Sequence, residues 1–342
     1  MAPANGDPRP RPRSLRRRIL LGVVLGLVVY ALLGLWADVG GMRAALSGFD
    51  LRLLPVAMGL SFTNYVVRFA RWERYRGLLG IRMGRWTSFL IYLSGLALTV
   101  TPGKMGETFK SWLIREVDGT PVHRSAPIVV AERFTDLLSF LVLIGIGGLA
   151  TQPEHAWVFW ATLVLCAGLL ALFASRRLAD LACDVLARLP LVRRAAPKAR
   201  AAFDSARVLM APRELALPTL VSTVGWGLEC VGFWLIASSF VQDGVPLLFA
   251  VYTFSFSAVA GAVAIVFPGG LGITEGAMSG LLGGRYEALG VAADAARARA
   301  ASATILIRLC TLWFAMGVGL VALWLFRRQR AALAPARSHE GH

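Results

Sequence analysis

The chain has 342 residues, of which 56% are hydrophobic and only 16% are charged. Soluble domains carry about 25% charged residues, so this composition excludes an ordinary soluble protein and indicates a polytopic membrane protein. The net charge of +16 would suit a nucleic-acid-binding protein. However, the basic residues lie at the ends of apolar runs, as they do in membrane loops, and we expect no nucleic-acid partner.

The apolar runs predict an all-α fold, because a helix needs about 20 apolar residues to cross a bilayer. A basic tail, residues 1–18, precedes an apolar stretch that is too long for a signal peptide. Two shorter apolar runs, at about 86–101 and 247–267, end in the stretches TPGKMGE (101–107) and FPGGLGITE (267–275). We expect six full spans, at about residues 19–37, 53–70, 126–150, 156–174, 215–240 and 302–326.

The distribution of basic residues predicts the orientation of these spans, because Lys and Arg concentrate in cytoplasmic loops. The loops 38–52, 151–155 and 241–246 are poor in basic residues and are expected outside. Both termini are expected in the cytoplasm. The basic segments are the tail 1–18, the loop 71–85, the segment 175–213 and the tail 327–342.

This orientation is consistent only if each Pro-Gly stretch enters and leaves the membrane on the same side, as a re-entrant pair of half-helices. Non-helical backbone at that depth requires surrounding protein or a water-filled cavity. A kinked full span, or a loop near the membrane surface, is the alternative interpretation.

The order span, span, re-entrant pair, span occurs twice, in about 19–150 and 156–326, joined through the outer loop 151–155. An odd number of crossings in each half inverts the second half relative to the first. Inverted repeats with broken helices are typical of secondary transporters, whose binding site lies between the repeats. Matching positions are 166 residues apart for Pro102 and Pro268, 168 for Glu107 and Glu275, and 175 for Arg133 and Arg308.

Charged residues inside spans cost at least ~2.5–3.5 kcal/mol each at the membrane centre, so they are expected to face a cavity. Glycines at a helix break let an anionic head group approach backbone N–H groups. The expected substrate-binding residues are Arg68, Gly103, Lys104, Gly106, Arg133, Gly269, Gly270, Gly272 and Arg308. The expected coupling or head-group carboxylates are Glu107, Glu132, Asp136, Glu229 and Glu275.

Ion pairing is the expected local environment of the two repeated arginines. Arg133 can pair with Asp136 at i+3, and Arg308 with Glu275 or Glu229. The competing interpretation is that such pairs only lock the two halves together, or that an Arg reaches the membrane surface. We favour that interpretation for Arg71 and Lys110. For the glycines, the alternative interpretation is that they permit tight helix packing.

The basic segment 175–213 has apolar residues at helical spacing from Leu178 to Leu189. It is expected to lie on the inner leaflet, held by anionic lipids; a contact in a homo-oligomer is the alternative. The sequence contains no recognisable catalytic motif, metal-binding pattern or cofactor fingerprint. We therefore expect no catalytic residue, metal or cofactor.

Four motifs in order carry a family resemblance: RxxRW at 68–72, TPGKMGE, ERFTD at 132–136 and FPGGLGITE, followed by Arg308. Over about residues 19–326 the chain resembles the lysylphosphatidylglycerol synthase transmembrane region, also called the flippase-like domain family. The resemblance implies movement of an aminoacylated phospholipid between leaflets. It does not imply lysyl transfer, because the separate soluble synthase domain is expected to be absent.

The expected function is therefore a flippase-type translocase in a bacterial cytoplasmic membrane. Its substrate is a phospholipid, a glycolipid or a polyprenyl-phosphate-linked amphiphile with an anionic or aminoacylated head group. One alternative is an accessory subunit or enzyme of lipid or glycan biosynthesis that works with a glycosyltransferase or lipid synthase. Another is a small-anion transporter, which would need a site closed to lipid.

Overall fold

The computed structural model describes residues 12–100, 108–175, 196–263 and 268–333, together with positions 177 and 180. Regular structure in these ranges is helical throughout. The first half contains α1 (Pro12–Ala37), α2 (Val39–Ser47), α3 (Leu53–Leu78), α4 (Arg85–Ser94), α5 (Phe109–Asp118), α6 (Val122–Ser125) and α7 (Pro127–Thr151). The second half contains α8 (Ala156–Ala174), α9 (Ala196–Leu209), α10 (Pro212–Ser238), α11 (Leu247–Val263), α12 (Ile273–Ala288), α13 (Ala293–Arg308) and α14 (Phe314–Leu333).

Four helices in the described part are long and apolar enough to cross a membrane: Leu53–Leu78, Ala156–Phe173, Pro212–Ser238 and Ala293–Ala332. A fifth is present if Val23–Ala37 and Val39–Ser47, which meet at a bend of 92°, form one span. The prediction of an all-helical, multi-pass membrane protein is confirmed. The count of six spans and the inverted repeat remain predictions.

Two helix boundaries differ from those expected. The last long helix begins at Ala293 instead of about 302, and it continues through a π-helical segment, Leu309–Trp313, into α14. Arg308 therefore lies about four turns from the start of its helix. The expected loop 38–52 contains α2, whose first turn is capped by the Asp38 carboxylate, which accepts from Gly41 N at 2.9 Å.

Described helices end shortly before both Pro-Gly stretches. A 3₁₀ turn, Gly95–Leu98, extends α4 before the first stretch, and residues 101–107 lie outside the described part of the chain. After α11, the second stretch places Gly269, Gly270 and Gly272 at φ 63°, 70° and 90°. Only glycine adopts such angles readily, so the turn before α12 is specified by the sequence itself.

The helices of the two halves pack across each other. α3 lies along α10, α4 and its 3₁₀ turn lie against α14, and α11 lies against α7. Glycines allow backbone-to-backbone contact at two of these crossings. A Cβ atom at Gly147 would lie 2.6 Å from Leu248 O, and one at Gly319 would overlap the backbone of Ala97.

The segment 175–213 is described only in part. It contains α9, which contacts α7, α6 and α8. The apolar positions between 178 and 189 that predict its amphipathic face lie outside the described residues. Its association with anionic lipid stays a prediction.

Candidate functional site: a charged intramembrane cavity

A cavity of about 640 Å³ lies at the centre of the helices and is lined by residues from both halves. Its volume is within the range of small-molecule sites, about 300–1,000 Å³. Its lining includes eight of the residues predicted from sequence: Arg68, Glu132, Arg133, Asp136, Glu229, Gly269, Gly270 and Arg308. Gly103, Lys104, Gly106 and Glu107 lie outside the described residues.

Asp136 is the centre of the larger charged group. It is 4% exposed, and its two carboxylate oxygens accept from Arg68 Nη2 at 2.8 and 2.9 Å. Arg71 Nη1 lies 2.7 Å from Oδ1, and Arg133 Nη2 lies 3.0 Å from Oδ2. Trp226 Nε1 donates to the same carboxylate at 3.0 Å. The expected i+3 pair of Arg133 and Asp136 is present, within a cluster of three guanidinium groups.

Glu132 extends this cluster to α5. Its Oε2 atom lies 2.5 Å from Lys110 Nζ, and its Oε1 atom lies 3.7 Å from Arg71 Nη2. The ammonium group of Lys110 also lies over the ring of Trp72, 4.8 Å from its centroid. This is a favourable cation–π arrangement. Glu132 is only 1% exposed, so its charge is balanced by these two cations.

Arg71 and Lys110 are therefore more central in the protein than their sequence positions predict. They are 1% and 3% exposed, so both are enclosed by protein, and both make the interhelical ion pairs considered for them. Arg71 also donates to Thr135 Oγ1 at 2.9 Å and to Ser222 Oγ, which joins α3 to α7 and α10. The spacing of Arg68 and Arg71, three residues apart on one helix face, is the sequence signal for their shared partner.

A second charged group joins α12 to α13. Arg308 Nε donates to Glu275 Oε1 at 2.6 Å, and Glu275 Oε2 accepts from Gly272 N at 2.7 Å. Arg308 Nη2 also lies 3.4 Å from Gly269 O. Glu275 thus caps α12 and is the partner of Arg308, as the sequence analysis considered for this pair. Gly272 contributes its backbone N–H and is not part of the cavity lining.

Glu229 joins α10 to α3 in the same cavity. Its Oε1 atom accepts from Asn64 Nδ2 at 2.6 Å, and both side chains are buried. One turn earlier on α10, Gly225 leaves room for Asn64 and for the aliphatic part of Arg68. The guanidinium of Arg68 stacks over Trp226, 4.5 Å from the ring centroid. The ring therefore fixes the plane of a cation that lines the cavity.

The wall of the cavity reaches the apolar outer surface. The lining includes Val130 of α7, Leu165 of α8 and Val263 of α11, which are 45%, 42% and 61% exposed. The same wall also contains the apolar side chains of Leu137, Phe140 and Leu169. The charged centre is thus continuous with a surface that suits hydrocarbon.

A family model of the lysylphosphatidylglycerol synthase TM region matches residues 23–319. The chain belongs to this family. The matched range contains all the predicted site residues, from Arg68 to Arg308. The family resemblance predicted from the four motifs is confirmed.

This member of the lysylphosphatidylglycerol synthase TM-region family also resembles a UPF0104 membrane protein from Methanothermobacter thermautotrophicus. The two sequences are 29% identical over 138 residues. The aligned stretch covers 38% of this chain and 38% of that relative. The likeness supports the family and a location in the membrane.

Proposed function

We propose that the protein is a flippase-type translocase that moves the head group of a phosphate-bearing lipid across the membrane. The observation that carries the proposal is a cavity with a charged centre and a wall that reaches the exposed apolar surface. The candidate substrates are a phospholipid, a glycolipid and a polyprenyl-phosphate-linked amphiphile.

The physical difficulty of lipid translocation is the polar head group, because the hydrocarbon core is about 30 Å thick. A buried charged cavity replaces water around the head group with fixed ionic partners. The hydrocarbon tails can stay in the bilayer if the cavity is open to the side. Val130, Leu165 and Val263 supply such an edge. A small-anion transporter would instead require a site closed to lipid.

We further propose that the two Pro-Gly stretches are re-entrant and that the halves form an inverted repeat of six spans. The packing of the helices supports this architecture. The helix before the first break, α4, packs on the last helix of the second half, and α11, before the second break, packs on the last helix of the first half. Reciprocal contacts of this kind are expected when two halves are related by a twofold axis.

The proposed site lies between these halves, where Arg133 and Arg308 contribute one cation each. Thr99 and Val100, which precede the first Pro-Gly stretch, lie against Gly269 of the second. This contact supports the expectation that the two stretches approach each other. Rocking of one half against the other would then expose the site to each side in turn. We also propose that the protein resides in a bacterial cytoplasmic membrane with both termini in the cytoplasm.

Reconstitution tests the function. The purified protein is placed in vesicles that contain a trace of a fluorescent lipid, and the fraction accessible to an external quencher is followed with time. The panel contains labelled phosphatidylglycerol, phosphatidylethanolamine, a glycolipid and a polyprenyl phosphate. We expect at least one of these lipids to cross faster than in protein-free vesicles. Equal rates for the whole panel would contradict the proposal.

A matched pair of variants on one helix tests the site. Arg308→Gln removes a cation that lines the cavity, and we expect the rate of translocation to fall about tenfold or more, because charge-assisted contacts to phosphate are the strong ones. Arg299→Gln removes a cation whose Nη1 atom donates to Phe240 O, away from the cavity. We expect its rate to equal that of the unmodified protein.

A further inference from the structure

The larger charged group holds more cations than carboxylates. In the described residues, four cations (Arg68, Arg71, Lys110 and Arg133) surround two carboxylates, Glu132 and Asp136. A third carboxylate, Glu229, lines the same cavity, which leaves one cation in excess among the described residues. The Arg308–Glu275 pair is balanced. We propose that the cavity selects a lipid whose head group is net negative and is bound through its phosphate, and that it rejects an aminoacylated head group. The inference rests on the proposed function and specifies its substrate class.

The carboxylates offer little to a cationic head group, because each is already engaged by the protein. Asp136 receives three guanidinium groups, and Glu275 receives Arg308 together with the N–H of Gly272. Glu229 accepts from Asn64 and makes a further interaction. An ammonium group that entered this cavity would have to displace a buried cation from its partner.

Arg68 and Arg71, in contrast, each have buried N–H groups without a hydrogen-bond acceptor. Arg68 is 6% exposed and lines the cavity, and its Nε atom is buried without a hydrogen-bond acceptor. Behind it, Nε and Nη2 of Arg71 also lack a hydrogen-bond acceptor. Buried polar groups are normally satisfied, so unused guanidinium donors beside a cavity indicate a missing acceptor. Phosphate oxygens match the planar fork of an arginine.

The stacking of Arg68 on Trp226 strengthens this assignment. The ring lies on one face of the guanidinium, and Asp136 occupies the Nη2 edge. The orientation of the cation is therefore set before any ligand enters. A preorganised cation loses little conformational freedom on binding. Aminoacylation of a phosphatidylglycerol adds positive charge to the same head group, and this charge would face the cation excess.

Binding is measured first, without transport. The protein in detergent is heated with short-chain phosphatidylglycerol, short-chain lysylphosphatidylglycerol or inorganic phosphate, and the midpoint of unfolding is followed. We expect phosphatidylglycerol to raise the midpoint at concentrations about tenfold lower than the aminoacylated lipid requires, because like charges disfavour the latter. Inorganic phosphate should act only at higher concentration. Equal effects of phosphate and phosphatidylglycerol would show a free-phosphate site and overturn the lipid assignment.

Transport of the same two lipids, carrying equal labels, is then compared in vesicles. We expect phosphatidylglycerol to cross about tenfold faster or more. In Arg133→Gln the ratio of the two rates should fall, and in Arg133→Lys it should persist. Arg74→Gln, on the exposed rim of α3, is the control and should leave the ratio unchanged.

The two proposals fail in different ways. Equal or faster movement of the aminoacylated lipid overturns the charge selectivity and leaves the translocase standing. Selective binding of phosphatidylglycerol without movement of any lipid overturns the translocase and leaves the anionic site standing.

Discussion

Asp136→Asn is the sharpest test of the charged cluster. The substitution preserves the size of the side chain and removes one negative charge from the centre of Arg68, Arg71 and Arg133. The side chain of Arg71 has no exposed surface, and that of Arg68 is 7% exposed, so water cannot replace the lost carboxylate for them. Arg133 is 31% exposed and should lose less.

The magnitude follows from this burial. Removing one partner of a buried ion pair costs about 3–5 kcal/mol, because an uncompensated charge remains inside. The Asn carbonyl can still accept a hydrogen bond, so the loss should not exceed that range despite the three partners. We expect Asp136→Asn to lower the free energy of unfolding by about 3–5 kcal/mol.

The assay is reversible unfolding in mixed micelles, with the helical signal followed during a denaturing-detergent titration. Glu214→Gln is the matched control, because Glu214 pairs with Arg74 at 2.6 Å but Arg74 is 39% exposed. Such a surface pair contributes about 0–1 kcal/mol. Combining Asp136→Asn with Arg71→Met should cost less than the sum of the two single changes, because it removes a cation and its partner together. A loss below about 1 kcal/mol for Asp136→Asn would refute the reasoning.

Three further predictions concern packing, coupling and topology. Gly319→Ala should destabilise the protein by about 1–3 kcal/mol, because its Cβ would overlap the backbone of the 3₁₀ turn after α4. Gly317→Ala is the control and should not destabilise the protein, because the space around Gly317 is open. Equal unfolding curves for the two variants would contradict this prediction. Glu275→Gln keeps an acceptor for the α12 cap but removes the charge that faces Arg308, and we expect lipid movement in vesicles to be abolished; full transport, also when combined with Glu107→Gln, would leave both glutamates as structural caps. A reporter that is active only outside the cytoplasm should be inactive when fused after Arg330, and activity there would overturn the predicted orientation.

In the charged cluster, contacts within one helix could be predicted from the sequence, and contacts between helices could not. The i+3 pair of Arg133 and Asp136 could be predicted, because helical geometry alone brings the two side chains together. The role of Arg71 could not be predicted in this way. Its partner Glu132 is 61 residues away along the chain, and only the packing of α3 against α7 and α10 brings these groups together. The packing of α5 against α4 likewise buries Lys110, whose sequence position near an expected membrane surface suggests a peripheral cation.

The sequence by itself determined the membrane class, the family, and the glycine turn before α12. These properties depend on the composition of a run, on ordered motifs, and on Pro and Gly residues whose backbone preferences act locally. The tertiary structure decided which charges neutralise each other, which glycines lie where two helices cross, and that eight of the predicted residues line one cavity. Each of these depends on contacts between helices that are distant in the chain. Helical periodicity orients a side chain around its own axis, whereas the partner it meets is set by how the helices pack.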